Sequence, residues 1–198
     1  MTHALIVIDV QNDFCPGGAL EVPQGDEILR GINALMSEFD AVVLTQDWHP
    51  AGHSSFASSH KNNTPYEIVT MPYGPQVLWP DHCIQGSIGA QFHPELQADR
   101  ADLIIRKGFN PDIDSYSAFF ENDHRTPTGL EGYLRTRGIE RLTMVGLALD
   151  FCVNFSAVDA AKLGFKVDVR EYLCRAIDLD GSLAKSREGM RAAGVTLA

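Results

Sequence analysis

The spacing of apolar positions changes period repeatedly along the chain, and each change marks an element. Residues 4–10 form a continuous apolar run rich in β-branched side chains, the pattern of a strand buried on both faces. Over 26–39 the period becomes helical, with Ile28, Leu29, Ile32, Leu35 and Met36 on one face. A second strand is predicted over 41–45 and a third over 102–106. A helix follows over 128–137, stopped by Gly138. Then come a strand over 142–147, a helix over 150–163 ended by Gly164, a strand over 165–169, a helix over 181–193 ended by Gly194, and a short strand over 195–197. Strands alternating with helices predict an α/β fold: a parallel sheet covered on both faces, with functional groups at the carboxyl ends of its strands.

The segment from about 46 to 100 breaks the alternation. It holds Pro50, Pro65, Pro72, Pro75, Pro80 and Pro94, both tryptophans, and His49, His53, His60 and His82. So long an irregular stretch inside a small domain points to a site-building insertion rather than a linker. Residues 1–198 therefore read as one domain with this insertion.

Composition narrows the function classes. The chain has 198 residues, 44% hydrophobic and 21% charged, as in ordinary globular proteins. A formal net charge of −10 argues against nucleic acid or an anionic membrane as partner, and leaves a small neutral substrate open. No apolar run is long enough to span a bilayer. The amino-terminal run lacks a basic flank and contains Asp9, so it reads as a strand and not as a signal peptide. A cytoplasmic location is the expectation, and a homo-oligomer is left open. Cys15, Cys83, Cys152 and Cys174 are widely spaced and are expected to be free thiols.

Four places carry candidate chemistry. Asp9 ends a buried strand, where desolvation can lift a carboxyl into a useful range for proton transfer. Lys107 follows another strand and can stand as a fixed charge beside an anionic nucleophile. Cys152 follows a strand and the small residues Gly146 and Ala148. It is expected in the first turn of a helix capped by Asp150, where unpaired N–H groups and the helix dipole lower a thiol's pKa. Asp47 and His49, with His53 and the remote His82, offer one carboxylate and imidazoles suited to Zn²⁺, Fe²⁺ or Mn²⁺. Taken singly, each has a plain structural reading: a turn-forming Asp, a solvated Lys, a small core Cys, polar loop histidines.

Together they match a family pattern. Ile-Asp-Val-Gln-Asn-Asp-Phe at 8–14, Asp-Trp-His-Pro-Ala-Gly-His-Ser-Ser-Phe at 47–56, Trp-Pro-Asp-His-Cys at 79–83, Arg-Lys-Gly at 106–108 and Gly-Leu-Ala-Leu-Asp-Phe-Cys-Val at 146–153 resemble the nicotinamidases, a branch of the isochorismatase-like cysteine hydrolases. The resemblance implies a six-stranded parallel sheet with helices on both faces. It implies that Asp9, Lys107 and Cys152 form the catalytic triad, and that backbone N–H groups of Ala148 and Cys152 form the oxyanion hole, with a cis peptide before Ala148. It makes Phe14 and Trp79 the walls that sandwich a pyridine ring, with Tyr116 lining the same pocket. It makes Asp47, His49 and His82 ligands of one divalent metal, zinc ahead of iron or manganese, with His53 a further ligand in some members. The implied reaction converts nicotinamide to nicotinate and ammonia through a cysteine thioester, a step of NAD salvage, with pyrazinamide a second substrate. Two rivals differ in class: a carbamoyl or isochorismate hydrolase on the same fold, and a non-enzymatic metal-stabilised domain.

Overall fold

In the computed structural model, which describes residues 2–198, strand β1 (Thr2–Ile8) lies inside a six-stranded sheet. Its successive side chains serve opposite faces, as the two-residue period requires. Ala4, Ile6 and Ile8 pack into one core cluster and Leu5 and Val7 into the other, all 0–1% exposed. Burying a side chain of this size contributes about 1.5–3 kcal/mol, so one face alone would not explain the uninterrupted apolar run.

Strand β2 (Ala41–Asp47) pairs with β1 on one side, and β5 (Leu103–Lys107) pairs with β2. On the other side of β1 come β6 (Ile139–Leu147), β7 (Lys166–Arg175) and β8 (Thr196–Leu197). Every pairing in this sheet is parallel. Helix α1 (Leu29–Leu35) packs on the Leu5/Val7 face. Helices α2 (Leu130–Thr136), α3 (Asn154–Lys162) and α4 (Ser182–Ala192) pack on the Ala4/Ile6/Ile8 face. The chain leaves β1 toward β2 and β5, then returns to β6 on the opposite side. The crevice at the carboxyl ends of β1 and β6 is therefore the topological switch point, where ligands bind in open α/β sheets.

Several bounds differ from the sequence expectation. The helix expected over 26–39 is α-helical only at Leu29–Leu35. Leu29 N–H bonds Asp26 O at turn spacing, and Met36–Glu38 tightens into a 3₁₀ turn. Strand β7 runs six residues further than its apolar pattern. A register shift lets it continue past the polar pair Arg170 and Glu171 and rejoin β6 through Gly146–Cys174 and Leu147–Arg175. The insertion contains a hairpin with no clear sequence signal, β3 (Ile68–Met71) and β4 (Gly74–Val77). Cys15, Cys83, Cys152 and Cys174 are all free and buried. Among the described residues, no helix is long and apolar enough to cross a membrane.

Candidate active site

Register places the site's charged groups. Asp47 and Lys107 are direct partners at the ends of β2 and β5, so their side chains leave the sheet on the same side. Lys107 Nζ lies 2.5 Å from Asp47 Oδ1 and 2.8 Å from Asp9 Oδ2, and all three side chains are at most 5% exposed. Asp9 is one residue past β1, at φ +49, a left-handed conformation uncommon for a non-glycine residue and a frequent mark of a functional position. Thr45 on β2 donates to Asp9 Oδ1 at 2.5 Å and fixes the carboxylate's rotation.

The Lys107 ammonium donates to Asp47 Oδ1 at 2.5 Å and Ser115 O at 2.9 Å, pairs with Asp9 Oδ2 at 2.8 Å, and lies 3.5 Å from Cys152 Sγ. Asp9, Asp47 and Cys152 present ligand atoms within 4.8 Å of one another. A buried carboxylate oxygen with a free lone pair beside a thiol is placed to accept the thiol's proton.

Burial raises the Asp9 carboxyl, Asp47 adds to the rise, and Lys107 and Thr45 offset part of it. Burial also tends to raise Asp47, but Lys107 and His49 outweigh it and hold that carboxyl well below its ordinary value. Burial tends to lower Lys107; Asp47 and Asp9 prevail and keep it a cation. Cys152 corrects one expectation. Burial pushes its thiol well above the usual range, and Asp9 and Asp47 add to the rise against the pull of Lys107. The predicted capping is also different. Residues Leu149–Val153 form a π-helical turn capped by Ala148, and Asp150 instead accepts bonds from Ile177 N, Asp178 N and Ser182 Oγ. Burial and the two carboxylates thus favour the neutral form of the Cys152 thiol.

The peptide between Leu147 and Ala148 is cis, and Ala148 and Cys152 face the same narrow cavity. Gly146 precedes it at φ +117, where a Cβ would overlap the Ile8 carbonyl; only glycine lets β6 approach β1 this closely. Phe14, Trp79 and Tyr116 line the cavity. Tyr116 Oη accepts hydrogen bonds from Trp79 Nε1 at 3.0 Å and Gln76 Nε2 at 2.9 Å, which fixes Tyr116 and Trp79 relative to each other.

Asp47, His49 and His82 also bring ligand atoms within 4.8 Å of one another, all buried. His49 Nδ1 is 2.8 Å from Gly108 O, and His82 Nδ1 is 2.7 Å from Pro80 O. A carbonyl only accepts, so both Nδ1 atoms carry hydrogen and both Nε2 atoms keep lone pairs in the neutral rings. Those Nε2 atoms lie 3.5 Å and 3.8 Å from Asp47 Oδ2. Acceptors converging in a buried spot call for a cation, and backbone carbonyls are the usual hydrogen-bond partners of the far ring nitrogen in metal-bound histidines. The residues fit a divalent metal. His53 sits behind His49, ring centroids 4.4 Å apart. Ser55 N–H donates to His53 Nδ1 at 3.1 Å, so His53 Nε2 carries the hydrogen and donates to Asn110 O at 2.8 Å. Both of its nitrogens are engaged.

The isochorismatase domain model matches residues 3–198. The chain belongs to the isochorismatase family. A nicotinamidase of Acinetobacter baylyi is 54% identical over 192 residues, covering 97% of this chain and 90% of that protein. The solved structure of an Acinetobacter baumanii nicotinamidase and pyrazinamidase is 54% identical with a TM-score of 0.98, covering 99% of this chain and 95% of that one. A pyrazinamidase of Pyrococcus horikoshii in complex with zinc is 33% identical with a TM-score of 0.80, covering 100% and 99%.

In this isochorismatase-family site, the residues quoted from the sequence as triad, metal set and aromatic walls come together at one end of the sheet. Sequence reasoning missed Leu20, Asp114, Phe151 and Ile177, which also line the cavity. Phe151 carried a signal, being next to the nucleophile. Leu20 and Ile177 come from loops without periodicity, and only the folded chain brings them in.

Proposed function

We propose that the chain is a nicotinamide amidohydrolase working through a Cys152 thioester, with pyrazinamide as a second substrate and a role in NAD salvage. The observation that carries this reading is the buried cluster of Asp9, Lys107 and Cys152, in which the Asp9 carboxylate lies 2.8 Å from Lys107 Nζ and presents an oxygen within 4.8 Å of the Cys152 thiol. The relatives named nicotinamidase and pyrazinamidase support the substrate class. Small-molecule binding suits the narrow aromatic cavity; a cytoplasmic setting is part of the same proposal.

In this mechanism Asp9 takes the thiol proton as Sγ attacks the carboxamide carbon. Backbone N–H groups of Ala148 and Cys152 stabilise the tetrahedral oxyanion. Asp9 returns the proton to the leaving nitrogen, ammonia departs, and the acyl group stays on Sγ. Water then attacks the thioester and gives its proton to Asp9. Nicotinate leaves, and Sγ recovers the proton. Lys107 holds Asp9, Asp47 and Sγ in one cluster throughout and favours each anionic state in turn. Phe14 and Trp79 offer faces for the ring and keep water from it.

Asp47, His49 and His82 would hold the metal, for which we propose zinc, in line with the zinc-bound relative. When bound, it would supply a Lewis acid for the substrate's ring nitrogen and so orient the carboxamide toward Cys152. The test is ammonia release from nicotinamide, measured with and without chelator. Release that is lost on chelation and restored by Zn²⁺ supports the reading. No release from the zinc-loaded protein refutes it.

A further inference from the structure

Asp9 and Phe14 have roles in the reaction, yet the polar residues between them, Gln11, Asn12 and Asp13, have none. Gln11 is wholly buried. Its side-chain amide imitates a neighbouring strand. Oε1 accepts from Asp47 N–H at 2.8 Å, and Nε2 donates to Asp47 O at 2.8 Å and to Ala90 O at 2.9 Å. Both backbone groups of one metal-ligand candidate are thus held by a single side chain, just where β2 ends and its ladder runs out.

Asp13 reaches the other two indirectly, through Cys83. Its Oδ2 accepts from Cys83 N–H at 2.7 Å, and Cys83 follows His82 directly. Cys83 is at φ +46, a conformation that needs an outside hold. The carbonyl of Cys83 in turn accepts His49 N–H at 3.0 Å. One carboxylate therefore holds Cys83, which follows His82 in the chain and accepts the His49 N–H, and so reaches two candidate ligands far apart in sequence. Gly89 makes room for it, since a Cβ there would overlap the Asp13 carboxylate. Asn12 differs: it is on the exposed side and donates to Ile88 O at 2.8 Å, outside this arrangement.

We propose that Gln11 and Asp13 are positioning residues of the metal centre, acting as a backbone clamp that sets metal affinity by aligning Asp47, His49 and His82 on the end of β1. The proposal rests on the reading of those three as metal ligands. Outer-shell partners of metal ligands typically carry 10–100-fold in affinity, and the clamp belongs in that range.

The experiment measures Zn²⁺ affinity by chelator competition, beside the rate at which iodoacetamide alkylates Cys152 in the metal-free protein. Folding of each variant is followed by circular dichroism. Asp13→Asn keeps the shape but turns a donor toward Cys83 N–H. Gly89→Ala displaces the same carboxylate from outside. Asn12→Ala is the control. The expected result is Zn²⁺ affinity at least about tenfold weaker in Asp13→Asn and Gly89→Ala, unchanged affinity in Asn12→Ala, and Cys152 alkylation within about twofold in all three. If Asp13→Asn does not fold, Gly89→Ala decides alone, and its own failure to fold would make the contact a folding contact and overturn the proposal. Wild-type affinity in the folded variants would also overturn it. So would alkylation that changes in step with affinity, because the contact would then serve the whole site. Failure of the wild-type protein to bind Zn²⁺ would instead remove the metal-centre reading beneath it.

Discussion

The two halves of the site are held in different ways. The nucleophile half, Asp9, Lys107 and Cys152, stands on or just past the ends of β1, β5 and β6, and sheet register does most of its positioning. In the metal half, only Asp47 has a strand behind it. His49 and His82 lie in irregular chain and depend on single contacts to Gly108 O, Pro80 O and Cys83. A parallel sheet buried on both faces is rigid because many small terms fix it. A loop site is fixed by a few hydrogen bonds, each left buried and unpaired if its partner goes. The halves should therefore separate under mutation: one losing chemistry with its metal intact, the other losing metal with its nucleophile intact.

The largest expected effect breaks the first half. Cys152→Ala should abolish ammonia release, since no other group replaces the nucleophile, while Zn²⁺ binding by chelator competition stays at the wild-type value. Cys15→Ala and Cys174→Ala should remain active, because those thiols are buried and pushed up to about 11 and about 12, away from the cluster. More than a trace of turnover in Cys152→Ala would exclude the covalent route.

Next comes the second half. The double variant Asp47→Ala with His49→Ala should lose its zinc by metal analysis and need much more substrate. Cys152 should still be the first site alkylated when peptides are mapped by mass. Tightly retained zinc would place the ligands elsewhere.

A smaller effect joins the halves through the substrate. Benzamide has the carboxamide and nearly the shape of nicotinamide but no ring nitrogen, so a metal that reads that nitrogen would be left without its partner. The aromatic walls do not discriminate between the two rings. The expected ratio of kcat/KM on the same zinc-loaded enzyme is on the order of a hundredfold, about 3 kcal/mol of transition-state binding. A ratio near one would leave the metal a structural role only.

Proton affinity sharpens the comparison further. Asp9 must be a carboxylate to accept the thiol proton, so kcat/KM falls as pH drops through its pKa. Burial raises that pKa, with Asp47 adding to the rise. The acid limb should accordingly lie above the ordinary Asp value of about 3.9, with roughly tenfold loss per pH unit below it. An acid limb at or below that value on nicotinamide would assign the base to another group.

The same division governs what could be read from the sequence. Strand ends were legible because a parallel strand buried on both faces writes an unbroken apolar run, as before Asp9 and Cys152, while Lys107 ends the half-exposed edge strand β5, whose apolar residues still mark it. The fold class came from the same signal. The aromatic walls were legible only through motif resemblance; residue type alone suggested the metal set but could not select its members, since nothing periodic links His49 to His82. The upward push on the Cys152 thiol was not legible. A helix start argues for a lowered pKa, and only the folded site shows the burial and the two carboxylates that reverse it. The extension of β7 was hidden by polar Arg170 and Glu171, which sit where the strand bulges.

The smallest expected effect concerns His53, the residue on which resemblance and geometry pull apart. Resemblance makes it a further ligand in some family members. In this structure its ring hydrogen is committed to Asn110 O, and its lone pair is the acceptor for Ser55 N–H. Burial lowers its pKa, and the neighbouring His49 adds to the fall, so it stays a neutral ring at physiological pH. Coordination would require breaking the Ser55 contact or exchanging tautomers against a buried carbonyl, at about 1–3 kcal/mol for the buried group left unpaired. His53→Gln, which can replace both a donor and an acceptor, should therefore keep Zn²⁺ affinity within a few-fold of the wild type, while His82→Ala loses far more. Chelator competition on the two variants side by side decides it. Equal losses would make His53 a fourth ligand and would require the loop from 53 to 55 to rearrange when metal binds.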